Sequence, residues 1–473
     1  MVNPLDPYIP SAGRPWNKKM VLHLLNRTTF GAKVSDINYF LTLTPDAAVE
    51  KLFEPYTLPD SPGAWISEPP DFGNVQTNYQ RCNELRIWWA KLMYNQPPNL
   101  RELMTLFWHN HFTSSVTSVQ IPQYLYIQNT MFRRFVFGNF KNLTFAINRD
   151  PAMLIYLDGA LNAVGQPNEN YSRELLELFT LGIGNYTETD IREGARALTG
   201  WVANGLGAQF VPLRHDYTNK TYFGQTGNWT DEDVINIVFQ QPAAATFICS
   251  KFYKFFVNQS PDMTDAMPVI NQLAEILRNN NFEIAPVLKT LLKSELFFSE
   301  NVMGSLIKSP LQIMIGQLRQ LNISLNASTI NTNLNDLIFQ GNLANQYILD
   351  PPNVRGWLGY RNWLNSFSLP VRNAFNESAI TGIKKDNTPT GFSVDPIAFA
   401  TSFPQPNNAL QLVKDMSEHL IRLKISEKQL NYLLQVLLDG AIVQDWNISD
   451  PQAPNKIKKF LKAIIYMAEY QLY

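Results

Sequence analysis

The sequence predicts a mainly α-helical protein: a large multi-helix globular body with a small β-hairpin excursion near residues 205–229 and a long irregular loop region near 350–408. Three observations predict it. Apolar residues recur at three- and four-residue spacing over most of the 473 residues, the pattern of helices that bury one face. Hydrophobic residues make up 45% and charged residues 17%, below the ~25% usual for charged residues, so a compact body is expected rather than disorder. Strand signals are confined to FVPL and KTYF, which bracket the polar run HDYTN.

Taken in order, Asn17 caps a first helix whose apolar side is Met20, Leu22, Leu24 and Leu25. Thr44-Pro45 opens another, with proline in the first turn, where its missing N–H does no harm. Helices over 81–94 and 100–113 are separated by Gln96-Pro97-Pro98 and read as an antiparallel pair. A helix from about Asn170 is capped by Asn168 or Asn170 and carries a stripe of Tyr171, Leu175, Leu178 and Phe179. Thr187 with Asp190 forms a capping box, and Gly194 lets the helix that follows approach a neighbour closely. Further helices are expected over 231–239, 243–257, 265–278, 284–296 and 309–321, and again over 410–423, 427–438 and 456–470. Residues 350–408 are rich in Pro, Gly and Asn and show little periodicity.

The length exceeds the ~250–300 residues at which one core usually stops growing. We therefore expect a single large helical unit over 1–473 with sub-lobes at 17–204, 205–229, 230–345, 346–408 and 409–473. The formal net charge is −1 with signs mixed along the chain, so the broad basic field of a nucleic-acid binder is missing. Cys82 and Cys249 match no metal spacing and read as small buried hydrophobes. The N-terminal residues hold no apolar signal core, and no run of ~18 apolar residues suggests a transmembrane segment; the default expectation is a soluble, cytoplasmic chain. GxSxG, the phosphate-binding GxxxxGKS/T, a dinucleotide fingerprint and HExxH are all absent, which removes the commonest hydrolases, NTPases and dehydrogenases.

Five histidines are few, and three of them fall in polar motifs: His109 and His111 in WHNHF, and His215 in RHD. Imidazole is a common metal ligand and a natural acid or base near neutrality. Residues two apart on a helix differ by about 200° in direction, so His109 and His111 share a metal only if the helix ends or distorts there. The alternative is one buried, hydrogen-bonded histidine and one exposed.

In PNENYSRELLELFTLG, Glu169 stands at the positive end of the helix dipole and Glu174 at the border of the apolar stripe. A carboxylate there is paired, ligates a metal or holds a raised pKa. Glu169 and Arg173 also have the spacing of a helix ion pair. Arg196 reads as a clamp or an anion binder, and His215, Asp216 and Lys220 lie on a loop or hairpin where they serve chemistry or hold the turn. In DPPNVRGWLGYRNW, Trp357 and Trp363 are rigid plates that stack on a ligand or cover the core.

These motifs together, Asp150–Trp201 with FWHNHF, RHD and DPPNVRGWLG, resemble the bacterial domain-of-unknown-function 1800 family along nearly the whole chain. The resemblance implies no established reaction. It implies export signals in many members, and hence an exported chain as the alternative to a cytoplasmic one. It also implies a partner, a sulfatase- or alkaline-phosphatase-like protein encoded nearby. The chain departs from the family at Thr218, where Gly is usual, and at Ser172, where Ala is usual and a surface serine is expected to be harmless.

Two functional expectations follow. One is a metal-dependent hydrolase or oxidoreductase, with His109, His111 and His215 holding Zn, Fe or Mn, Glu169, Glu174 or Asp216 as ligand or base, and Arg173, Arg196, Lys220 and Trp357 binding. The other is a non-catalytic binding or assembly protein whose polar motifs fix the helices.

Overall fold

Short polar side chains ahead of apolar runs set most helix starts. Asn17 accepts from Met20 N at 3.2 Å to open Lys18–Thr28, and Thr44 accepts from Ala47 N at 3.2 Å to open Pro45–Leu52. The box at Thr187 and Asp190 opens Glu188–Ala197 as expected. Helices Asp231–Val238, Pro242–Phe256, Met267–Asn279, Ile284–Lys293, Pro310–Gln320, Ala409–Leu420 and Glu427–Leu438 all start close to the expected positions. The computed structural model describes residues 3–55, 57–259 and 262–473. Among these the fold is mainly helical, and its buried apolar side chains form one connected core running from Leu5 to Tyr470.

The helix expected at 81–94 runs over Val75–Asn95, because Asn74 caps it by accepting from Thr77 N at 3.2 Å. Its expected partner spans Arg101–His111, and both pack on Pro122–Arg134. The single β excursion is two antiparallel hairpins, β1 (Trp201–Asn204) with β2 (Gly207–Phe210) and β3 (Lys220–Tyr222) with β4 (Gln225–Gly227). Pro212 follows β2 and turns the chain, since proline cannot donate to a ladder.

The region 350–408 is not the unbroken loop expected: it contains helices Ser368–Thr381 and Pro396–Thr401. The longer one shows no clean apolar stripe, because polar Ser368, Arg372 and Asn376 share its buried face with Phe375, Ala379 and Ile380. Ser368, Arg372 and Asn376 are fully buried, and Arg372 donates to the carbonyl of Lys308 at 2.8 Å and that of Trp363 at 3.3 Å. Such pairing satisfies the buried guanidinium while interrupting the apolar pattern. A helix not expected from the sequence also spans Ile330–Leu343, burying Leu334, Leu337 and Ile338.

Candidate functional site

The Arg101–His111 helix carries FWHNHF at its C-terminal end, and a buried ion pair holds it. Arg133 donates to both carboxylate oxygens of Glu102, at 2.9 Å to Oε2, and Trp89 Nε1 donates to the same oxygen at 3.2 Å. The helix does end at His111, yet the two imidazoles go to different places. His109 is packed among Trp89, Phe132 and Trp357, with Nε2 buried and without a partner, and burial lowers its pKa to about 3. His111 is also buried, so neither is the exposed histidine of the alternative expectation. Its Nε2 lies 3.0 Å from Phe179 O, which only an N–H can donate to, so Nδ1 carries the lone pair that accepts from Lys251 Nζ at 3.0 Å.

That contact opens onto a cleft of about 370 Å³, within the range of small-molecule sites. Phe107, Asn110 and His111 line it from one helix, Lys251, Lys254 and Phe255 from the Pro242–Phe256 helix, and Arg355, Trp357 and Trp363 from the Pro/Gly-rich loop. Asn110 fastens that loop, its Oδ1 accepting from Trp357 N at 2.6 Å and its Nδ2 donating to Trp357 O at 3.3 Å. Trp357 therefore covers the core and forms a wall of the cleft at once. A second cavity of about 280 Å³ shares His111, Lys251 and Arg355 and adds Glu177 and Phe247.

Charge in the larger cavity is of one sign: its charged lining residues are Lys251, Lys254 and Arg355, with no Asp or Glu among its lining residues. Lys254 and Arg355 are exposed at the rim, while Lys251 is half-buried. Burial, aided by Lys254, brings the Lys251 amine down to about 7. Burial first, then Lys251, lowers His111 well below its ordinary range, so its ring is neutral.

The PNENYSRELLELFTLG helix begins at Glu169 as expected, but widens into a π-helix over Leu175–Thr180. Widened turns of this kind are frequent at functional sites. Here the widening brings Leu178 O within 3.0 Å of Lys251 Nζ and Glu177 into the smaller cavity, paired with Arg355 at 3.3 Å and with the Tyr186 hydroxyl at 3.0 Å. Glu174 has a buried Oε2 without a hydrogen-bond partner, and burial, then Glu177, raises its pKa. Glu169 and Arg173 form the surface pair, at 3.4 Å, with Arg173 also bound to Glu188 at 2.8 Å. Ser172 is not on the surface: it is buried and donates to Ile191 O at 2.7 Å, directly beside Gly194, where an added Cβ would meet Ser172 Oγ at 2.7 Å.

The hairpin residues form a separate cluster. Arg196 Nε donates to Asp216 at 2.8 Å; burial alone would raise that carboxyl, but hydrogen bonds from Thr218 and Arg196 hold it down to about 2. Thr218 Oγ1 links Asp216 Oδ1 and Arg196 Nη2, each at 2.5 Å, so the threonine ties the turn where a glycine would only permit it. Lys220 Nζ donates to Asp216 O and, at 3.0 Å, to Trp229 O, and His215 Nδ1 lies 2.9 Å from Thr199 O. None of these lines the two cavities described. His109, His111 and His215 are thus not one ligand set, and among the described residues no three His, Cys, Asp or Glu side chains are placed to hold a metal ion. The side chains present do not fit the shared Zn, Fe or Mn site expected from the sequence.

A family model for proteins of unknown function (DUF1800) matches residues 23–472. The chain belongs to the DUF1800 family. No curated protein and no solved structure matches this DUF1800 chain. Among the described residues of this family member, no helix is long and apolar enough to cross a membrane.

Sequence reasoning missed Asn110, Glu177, Lys251 and Arg355. Asn110, Glu177 and Arg355 sit inside motifs already singled out, next to the residues chosen. Lys251 and Lys254 had one signal, two cations three residues apart on an apolar helix.

Behind the cleft helix, Asp150 caps Pro151–Tyr156 with Oδ2, accepting from Met153 N and from Gln128 Nε2 at 2.8 Å each, while Oδ1 is buried and unpartnered. Burial outweighs those hydrogen bonds and pushes the carboxyl up to about 7. The native chain then holds a proton that the unfolded chain releases near pH 4. That stabilising contribution is complete below pH 4 and lost as pH rises to 7, worth about 4 kcal/mol. Urea unfolding at pH 5 and pH 8 should show this decline in wild type and a flatter profile in Asp150→Asn; equal slopes would refute the assignment.

Proposed function

We propose that this DUF1800 chain binds a small organic anion with an apolar or aromatic body in the cleft between the FWHNHF helix, the Lys251 helix and the Trp357 loop. The observation that carries this is the lining: Lys254 and Arg355 are its standing cations and Lys251 a further amine donor, set among Phe107, Phe255, Trp357 and Trp363. A cleft lined by one sign of charge with low-dielectric walls concentrates ligands of opposite charge. Aromatic plates supply apolar area, and hydrogen bonds to a charged group contribute about 1.5–3 kcal/mol each.

Calorimetric titration of the full chain with benzoate and with the neutral isostere benzamide tests this. Benzoate is expected to bind at least tenfold more tightly, and Arg355→Ala to lower its affinity about 10–100-fold, the equivalent of one charged hydrogen bond. Equal binding of the two ligands, or an unchanged affinity in Arg355→Ala, would reject the reading. A hydrolase or oxidoreductase acting through a metal draws no support from the donor geometry.

The assembly reading has one supporting observation. Leu161, Val164 and Leu213 are exposed on adjoining segments joined by Val164 N donating to Arg214 O at 2.8 Å. We propose this only as a second reading, a face for the sulfatase- or phosphatase-like partner; co-purification of the two proteins that is lost in Leu213→Asp would support it, and no association at micromolar concentration would remove it.

A further inference from the structure

Lys251 is an unusual cation for its position. Its Nζ donates to Leu178 O at 3.0 Å and to His111 Nδ1 at 3.0 Å, and lies 4.7 Å from the centre of the Phe247 ring. Among the described residues it has no carboxylate partner, whereas Arg355 pairs with Glu177. The Phe179 carbonyl fixes His111 with its proton on Nε2, so Nδ1 can only accept. A neutral amine has two N–H bonds, and both are matched: one to Leu178 O, one to His111 Nδ1. The position left over is a lone pair on a nitrogen that lines both cavities. As an ammonium the same nitrogen would carry a third N–H without a protein acceptor. Desolvation beside a second cation is a known way to keep a lysine nucleophilic, and the groups facing Lys251 are the neutral His111, Lys254 on its own helix, and Arg355 with Glu177 across the cleft.

We propose that Lys251 is the nucleophilic amine of this cleft and forms an imine with a carbonyl-bearing organic acid, a 2-oxo acid or aldehyde acid whose carboxylate lies against Lys254 and Arg355. The lone pair of Nζ forms a C–N bond to the carbonyl carbon as the C=O π pair moves onto oxygen. The nitrogen sheds a proton to His111 Nδ1, the acceptor already hydrogen-bonded to it, and the imidazolium passes that proton to the alkoxide oxygen to give the neutral carbinolamine. The hydroxyl takes a second proton from solvent water, leaving hydroxide, and departs as water while the nitrogen lone pair forms the C=N bond; the hydroxide removes the remaining N–H proton. Amine and carbonyl thereby give imine and water, with no oxidant or reductant. His111 positions the amine and relays the proton; Lys254 and Arg355 orient the acid.

This inference rests on the anion-binding reading of the same cleft, and its test separates the two. The full chain is incubated at pH 7 with glyoxylate or pyruvate and sodium cyanoborohydride, and labelled lysines are mapped by peptide mass spectrometry. An amine near pKa 7 is about half unprotonated at that pH, against roughly one part in 10³ for an ordinary surface lysine. Labelling of Lys251 is expected at least tenfold faster than of the exposed Lys91 and Lys414, blocked by excess benzoate and absent in Lys251→Arg, which retains the charge. Uniform labelling of the three lysines while benzoate still binds would overturn the nucleophile and leave the anion site standing. Uniform labelling together with no benzoate binding would remove both.

Discussion

Glu102→Ala is expected to destabilise the protein by about 3–5 kcal/mol, a larger loss than any surface substitution discussed above. The carboxylate is almost fully buried, and its partner Arg133 is completely so. Arg133 Nε is held by Asn129 Oδ1 at 2.8 Å, so the guanidinium cannot swing out to water when the carboxylate is removed. The variant would therefore leave a buried charge beside a missing partner, and the indole N–H of Trp89 would lose its acceptor as well. Removing both charges in Glu102→Met with Arg133→Met should cost less than Glu102→Ala alone, because no buried guanidinium is left without its carboxylate, the loss of the Trp89 acceptor being common to both variants. Urea midpoints of the three proteins decide it; a double variant less stable than the single one would show that the pair stabilises by net attraction rather than by mutual compensation. The consequence for function is positional, since Glu102 anchors the helix that ends in Asn110 and His111.

The second large effect is expected at Gly356. Its φ is +74°, a region that costs a β-branched residue most, and an added Cβ would meet the carbonyl oxygen of Asn110 at 2.6 Å and strike its side-chain oxygen more closely still. Gly356→Val must push the loop off the helix, breaking the two Asn110–Trp357 hydrogen bonds and shifting Arg355 and the Trp357 wall together. Loss of one charged hydrogen bond and part of an aromatic wall predicts roughly a 100-fold weaker affinity for benzoate. Gly224→Val is the control: its φ is also +74°, but no atom beyond its chain neighbours lies within 4 Å of the added Cβ, and it does not line the cleft. Benzoate affinity should be unchanged there. An unchanged affinity in Gly356→Val would mean that the loop does not form the site.

The fold class was legible because helix caps and apolar spacing are local signals, as at Asn17, Thr44 and Thr187. Ser368–Thr381 was not, because Arg372 is buried by donating to the carbonyls of Trp363 and Lys308 in other elements, which no local pattern encodes. The same limit governed the site. FWHNHF and DPPNVRGWLG were visible as motifs, but which of their residues meet depends on the end of one helix and the turn of a distant loop. His109 and His215 stand out in the sequence as rare residues in polar motifs, but their rings are held by aromatic packing and by Thr199. Lys251 carries no motif, and its character comes from what surrounds it: the imidazole of His111 and the carbonyl of Leu178, freed by a π-helical widening that its sequence did not announce.

The most direct measurement is a crystal of the full chain soaked with 4-bromobenzoate, with the bromine located by anomalous scattering. A bromine peak is expected among Phe107, Phe255, Trp357 and Trp363, with the carboxylate within hydrogen-bonding distance of Lys251, Lys254 or Arg355. A peak on the protein surface away from this cleft, or an empty cleft at a concentration where calorimetry shows binding, would contradict it.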